Sequence, residues 1–215
     1  MIQLEVWGPY ALFTRGEMKV ERASYDVPTP SAARGIVESI YLHPGMRWVI
    51  RRIYVLNPIE FTTIRRNEVK SKILGGTAMR IAQSKEDEPY LVTTKQIVQR
   101  ASMVLTNVHY VIEAEFEMLP EKAAPGDNPG KFQDIVTRRM RKGQCFSTPY
   151  FGCREFPAHF KQWEGGPIPT IDDTRDLGFM LYDFDYSDPQ NITPLYFRAK
   201  MEHGVIQVAG CEVFR

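Results

Sequence analysis

The run VHYVIEAEFEM at residues 108–118 constrains the fold more than any other stretch of the chain. Val108, Tyr110, Ile112, Ala114, Phe116 and Met118 occupy every second position, with polar or charged residues at 109, 113, 115 and 117 between them. A period of two puts alternate side chains on opposite faces of a strand, so this segment predicts a β-strand with one face on a core.

That face needs partners, and the flanking sequence supplies both sheets and helices. IQLEVWG (2–8) reads as a strand ended by Gly8-Pro9. RWVIRRIYVLNP (47–58) alternates Trp48/Ile50 and then Ile53/Val55, which predicts a strand with a bulge at Arg51-Arg52. IEFTTIRRNEVKS continues as a more exposed strand, and the stretch from 72 to 95, with Gly75-Gly76 and SKEDEPY, predicts a polar connection or hairpin tip. CFSTPYFGCREF predicts a further strand with a glycine inside it.

Two segments carry a helical period instead. TPSAARGIVESIYLHP opens with Thr29 as N-cap and Pro30 at the first helical position, and its stripe is Ala33, Ile36, Val37 and Ile40. Pro44 predicts its close at His43. NPGKFQDIVTRRMRKGQ (128–144) places Phe132, Ile135, Val136 and Met140 on one face. The order strand, helix, strand, then strand, helix, strand predicts an α+β class: a ferredoxin-like (RRM-like) domain over 1–160, with a β-hairpin insertion before its third strand. GFMLYDFDYS, PLYFRAKME and GVIQVAG add a small C-terminal antiparallel β-sheet domain at 161–215.

Composition matters here through charge. The net charge of +1 conceals nine acids against four bases in residues 164–215, a balance of −5 there and +6 upstream. A nucleic-acid surface is therefore expected in the first three quarters of the chain. No run approaches the roughly 18 apolar residues of a membrane span, and MIQLEVWGPY lacks a basic segment followed by an apolar one, so a cytoplasmic protein with no membrane partner is expected. Cys145, Cys153 and Cys211 lack C-x-x-C spacing and the four histidines are scattered, which argues against a structural zinc site. Asp172-Asp173 and Asp183/Asp185/Asp188 have the chemistry to bind a divalent cation, but they stand beside turn-forming residues, where acids commonly cap turns.

The helix at 128–144 carries the most suggestive chemistry. Lys131, Arg138 and Lys142 fall within about 20° of one line at 100° per residue, with Arg141 beside them and Arg139 in the same last turns. Arginines and lysines there complement the helix dipole, so this ridge is either a solvated face or a grip for backbone phosphates. Lys131 sits in the first turn, where a cation opposes the dipole unless something negative is bound. Free first-turn N–H groups and an ammonium together form an anion site. Tyr41 and His43 close the other helix, and Arg51 and Arg52 lie among aromatic residues on a basic strand suited to tracking a nucleic-acid backbone.

VWGPYALFTRGEMKVERASYDVPTPSAARGIVESIYLHP, LTNVHYVIEAEFEM and YFGCREFPAHF, in this order and spacing, resemble the CRISPR-associated Cas-five family, and within it the type I-C subgroup. The resemblance implies binding of the CRISPR repeat hairpin, cleavage of the precursor RNA at the hairpin base without a metal, and retention as a subunit of the interference complex beside its other subunits. It also implies an active site of a tyrosine ending the first helix, a lysine after the third strand and a histidine directly after that lysine. Tyr41 and Lys131 match the first two, but the next position is Phe132. Phenylalanine neither moves a proton nor neutralises a phosphorane. His43, close to Tyr41 and carrying the side chain that switches protonation near neutral pH, is the candidate substitute.

Three functions therefore compete: an endoribonuclease using Tyr41, Lys131 and His43; a non-catalytic subunit gripping the handle of a guide RNA; and a divalent-metal-dependent nuclease acting on double-stranded DNA through the acidic clusters. RNA cleavage by the first requires no cofactor; a metal enters only with the third.

Overall fold

The computed structural model describes residues 1–18, 20–71, 74–84 and 92–215. Its strands are β1 (Ile2–Ala11), β2 (Arg22–Ala23), β3 (Met46–Val55), β4 (Glu60–Val69), β5 (Ile97–Met118), β6 (His159–Gln162), β7 (Arg175–Asp185), β8 (Thr193–Glu202), β9 (Val205–Gln207) and β10 (Val213–Phe214). The helices are α1 (Pro30–Ile40), α2 (Gly75–Ser84), α3 (Thr93–Gln96) and α4 (Pro129–Lys142), with a 3₁₀ turn at Pro120–Lys122. Two compact units result: residues 1–62 with 103–215, and residues 63–102.

In the larger unit the sheet runs β10-β8-β9-β3-β5-β1-β6, each neighbouring pair antiparallel. Its buried face is built from cross-strand rows. Leu4 and Ile53 both oppose Ile112, Val6 opposes Tyr110, and Ile50 opposes Ala114. The register slips between Ile50 and Arg52, and this bulge is what lets Trp48, Ile50, Ile53 and Val55 all stay buried. α1 packs against β3 and α4 against β6, and the two helices touch each other. They contribute Ala33, Ile36, Val37 and Ile40, and Phe132, Val136 and Met140, to the same core. Burial of each larger aliphatic or aromatic side chain is worth about 1.5–3 kcal/mol.

The opposite face is laced with ion pairs. Glu5 meets His109 at 2.9 Å and Lys161 at 3.3 Å, Arg47 meets Glu117 at 2.6 Å, and Arg51 meets Glu115. In the second unit the stretch 75–84 is helical and Thr93–Gln96 forms a short helix, where the sequence suggested only a polar connection. Most of SKEDEPY lies outside the described residues.

Three expectations shift. α1 ends at Ile40 rather than His43, because Tyr41 already has an extended backbone (φ −150°, ψ 119°) while its N–H still donates to the Val37 carbonyl. The strand containing 108–118 begins at Ile97 and is 22 residues long. CFSTPYFGCREF is a packed loop, and the strand lies beyond it at His159–Gln162. Gly152 explains the loop: φ is +78°, and a Cβ there would stand 2.0 Å from the Leu12 carbonyl oxygen. That close approach anchors buried Phe151, whose carbonyl accepts from the Leu12 N–H at 3.0 Å.

Candidate active site

The turn after α1 and the turn before α4 converge. Gly45 is the contact point, since a Cβ there would lie 2.9 Å from Ala123 Cα. Only glycine lets the two backbones approach so closely. The Leu119 N–H donates to the Gly45 carbonyl at 2.8 Å and fixes the approach. The Gly45 N–H donates to His43 Nδ1 at 3.1 Å, which orients the imidazole with Nε2 toward Asp127 Oδ2 at 3.7 Å.

Asp127 is the hub of the cluster. Its side chain is only 1% exposed. It accepts from the Ala124 N–H at 2.8 Å and from Lys131 Nζ at 2.8 Å. The bond from Lys131, then that from Ala124, hold its carboxyl below the usual carboxylate range, and the same pairing holds the lysine above its ordinary value. Asn128 caps α4 by accepting the Lys131 N–H at 2.9 Å. The first-turn cation thus has its negative partner one helical turn back, which answers the dipole objection.

Tyr41 lies between the helices. Its ring is 6.0 Å from that of Phe132 and 6.5 Å from that of His43, and the Arg139 guanidinium sits 5.1 Å above it. Burial pushes its hydroxyl up, against the pull of Lys131 and Arg139, so at neutral pH it stays a proton donor. Its carbonyl, freed by the helix end, accepts from the Trp48 indole N–H at 2.8 Å. Phe132 is buried behind the cluster, 4.8 Å from His43 and 6.0 Å from Phe116, which in turn packs 5.5 Å from Trp48. An aromatic file therefore links the sheet to the site.

The expected residues divide. Tyr41, His43 and Lys131 come together, the first two because the chain leaves the helix after Ile40. Arg139 turns inward, donating to the Ile40 carbonyl at 2.6 Å. Arg138 and Lys142 are exposed, and Arg141 is exposed with a bond to Gln162 at 3.1 Å. The guanidinium of Arg51 contacts Glu115, and that of Arg52 contacts Gln207 at 2.9 Å, the Tyr54 hydroxyl at 3.5 Å and Glu113 at 3.6 Å, none of them a residue of the Tyr41 cluster. Asp127 and Trp48 went unnoticed as site residues, although the Asp127/Lys131 spacing of four was legible as an ion-pair signal. Among the described residues no group of three or more histidines, cysteines or acids is arranged to hold a metal. Asp183 pairs with Arg34, Asp173 with Arg175, and Asp185 and Asp188 accept backbone N–H bonds in turns. No helix among the described residues is long and apolar enough to cross a membrane.

A mixed α+β chain with this antiparallel sheet and helix-junction cluster matches the family of CRISPR-associated proteins termed Cas5 over residues 1–209. The chain belongs to that family, in its Cas5d (type I-C) group. A relative from Mannheimia succiniciproducens named CRISPR pre-crRNA endoribonuclease Cas5d is 45% identical over 214 residues, covering 96% of this chain and 94% of that one. A relative of the same name from Thermus thermophilus is 36% identical over 224 residues, covering 96% and 90%. Among solved structures, a CRISPR-associated protein superimposes with a TM-score of 0.70 at 23% identity, covering 100% of this chain and 96% of that one. A functionally uncharacterized protein from Streptococcus mutans does so with a TM-score of 0.69 at 22% identity, with the same coverage. These two likenesses concern the fold.

Proposed function

We propose that this chain is a precursor CRISPR RNA endoribonuclease that cuts within the repeat at the base of its hairpin and then stays with the other subunits of the interference complex. The relatives' shared name supports the activity. The observation that carries the chemistry is the pairing of Lys131 with buried Asp127 at 2.8 Å beside Tyr41 and His43.

In the proposed reaction the 2′-hydroxyl gives its proton to solvent hydroxide and the 2′-oxygen attacks the adjacent phosphorus, the bond from phosphorus to the 5′ oxygen breaks, and that oxygen takes a proton from water, which regenerates the hydroxide. The products are a 2′,3′-cyclic phosphate and a 5′-hydroxyl. Lys131, held charged, neutralises the extra negative charge of the phosphorane. Tyr41, held protonated, donates to a non-bridging oxygen. While the Gly45 N–H occupies Nδ1, His43 carries its proton on Nε2 and has no lone pair free to act as a base, so its role is a hydrogen bond from Nε2 to the leaving oxygen as negative charge builds there, the proton itself coming from solvent water. Asp127 touches no reacting atom and positions Lys131 and His43. No step calls for a metal.

Within the larger unit, the sheet order β6-β1-β5-β3 joined through α1 and α4 supports a ferredoxin-like reading of residues 1–160; the second unit, which holds most of β4 and the start of β5, reads as the inserted hairpin, and the strands of 161–215 extend the sheet of the larger unit through the pairing of β9 with β3. Exposed Arg138, Arg141 and Lys142 continue from Lys131 along α4 as the phosphate grip.

The test is incubation of purified protein with labelled repeat RNA in EDTA. A product ending in a 2′,3′-cyclic phosphate, lost in Lys131→Ala and slowed by roughly 10²-fold or more in His43→Ala, is expected. Binding without cleavage would instead favour a guide-handle subunit, and cutting only with added Mg²⁺ or Mn²⁺ a metal-dependent nuclease.

A further inference from the structure

Beside the catalytic cluster a second cleft opens, of about 460 Å³ and sharing His43 with it. That size falls within the roughly 300–1,000 Å³ typical of small-molecule clefts. Its walls are apolar: Leu42 and Phe146 flank it, 55% and 78% exposed, with Leu119 among its lining. A phenyl ring so open to water is an unmet demand for a partner.

Phe146 is displayed rather than loose. Its N–H and that of Ser147 both donate to the Ser39 carbonyl, at 2.9 and 3.0 Å, in the last turn of α1. The backbone that carries the ring is thereby tied to the helix that also delivers Tyr41. Lys122 lines the same cleft, as do Arg47, which is paired with Glu117 at 2.6 Å, and Glu38, which is paired with Arg34 at 3.4 Å.

An occupant suited to this lining is flat enough for the ring, apolar on its faces and attached to negative charge that Lys122 can meet. Because the cleft and the cluster share His43, an RNA strand with its phosphate at the cluster has its next nucleotide within reach of the cleft. We propose that this cleft is a nucleobase subsite: an unpaired base of the nucleotide next to the scissile phosphate stacks on Phe146, with Lys122 meeting its phosphate. Bases inside the hairpin stem are already stacked and paired, so the subsite selects a cleavage position where a single-stranded nucleotide begins. The proposal rests on the RNA-cutting reading.

The experiment combines Phe146→Ala with abasic substitution at each nucleotide flanking the mapped cleavage position. Loss of base–aromatic stacking is expected to slow single-turnover cleavage by roughly 5- to 150-fold. An abasic nucleotide at one of the two positions should slow the wild type as much, the two losses should not multiply, and Phe146→Trp should restore the rate. If the wild type cuts and Phe146→Ala matches it, or if the two losses multiply, the subsite is refuted while the nuclease reading stands. If the wild type binds the hairpin without cutting, the nuclease reading fails, and fluorescence of 2-aminopurine at the flanking positions decides the subsite. Quenching by the wild type and not by Phe146→Ala supports it, and equal signals overturn it. If the wild type neither binds nor cuts, both fall.

Discussion

Replacing Trp48 by phenylalanine tests whether the sheet positions Tyr41, the tyrosine proposed to take part in cleavage. The indole N–H donates to the Tyr41 carbonyl at 2.8 Å, and both residues are buried. Phenylalanine leaves that carbonyl with no donor and no water, which costs about 1–3 kcal/mol. Space vacated by the larger ring adds about 1 kcal/mol, for a total near 3 kcal/mol. For a chain of 215 residues this lowers Tm by roughly 6–12 °C. The catalytic loss should exceed the folding loss: at 20 °C, with the variant still folded, a shift of about 1 Å at Tyr41 slows cleavage by about 10²-fold. Thermal melts and single-turnover rates on repeat RNA measure the two separately. A lowered Tm with an unchanged rate would refute the positioning argument, and no change in either would refute the hydrogen bond's importance altogether.

Asp127→Asn should cut the rate at least 10-fold with only a small fall in Tm, because the ion pair is largely solvent-facing at Lys131, 48% exposed; equal rates would remove Asp127 from the site. The Asp127 carboxyl is held low in the folded state, so its contribution to stability is present above the ordinary carboxylate range and is lost as pH falls through its lowered value. The difference in urea midpoint between wild type and Asp127→Asn should therefore vanish in acid. Arg138→Ala and Lys142→Ala should each reduce the slope of log affinity for repeat RNA against log salt by about one, with a parallel loss for unrelated RNA. Gly152→Ala should destabilise by more than about 3 kcal/mol in chemical unfolding, since both its positive φ and the Leu12 carbonyl oppose a Cβ.

The sequence made some features legible and hid others for identifiable reasons. The bulge at Arg51-Arg52 was readable because a slip of phase leaves its mark in the apolar pattern itself. The Thr29 cap was readable because capping is local, and its hydroxyl does accept the Ala32 N–H at 3.1 Å. The loop around Gly152 resembles a strand in sequence because it is rich in aromatic residues, which favour strands, whereas its conformation is set by a contact with Leu12, 140 positions away in the chain. Tyr41 and Lys131 were identified through family resemblance, and His43 through nearness to Tyr41. Asp127 was hidden in a turn that composition describes only as polar, and its importance comes from side-chain burial that no local pattern encodes. Arg139 looked equivalent to Arg138 on a charge count, yet only one of them faces the Tyr41 ring.

The left-handed Gly143 at the end of α4, φ 62°, donates to the Arg139 and Met140 carbonyls, and the Gln144 N–H closes a second bond to Arg139 at 2.9 Å. With Asn128 clamping the other end, α4 behaves as a ruler with fixed ends. Lys131, Arg138 and Lys142 are then spaced by helix rise alone, about 10 Å and 6 Å along the axis. Inserting one residue between Lys131 and Arg138 would rotate the grip away from the chemistry by about 100° while leaving every charge in place. The length of this helix, and not only its composition, is therefore part of the enzyme's specification.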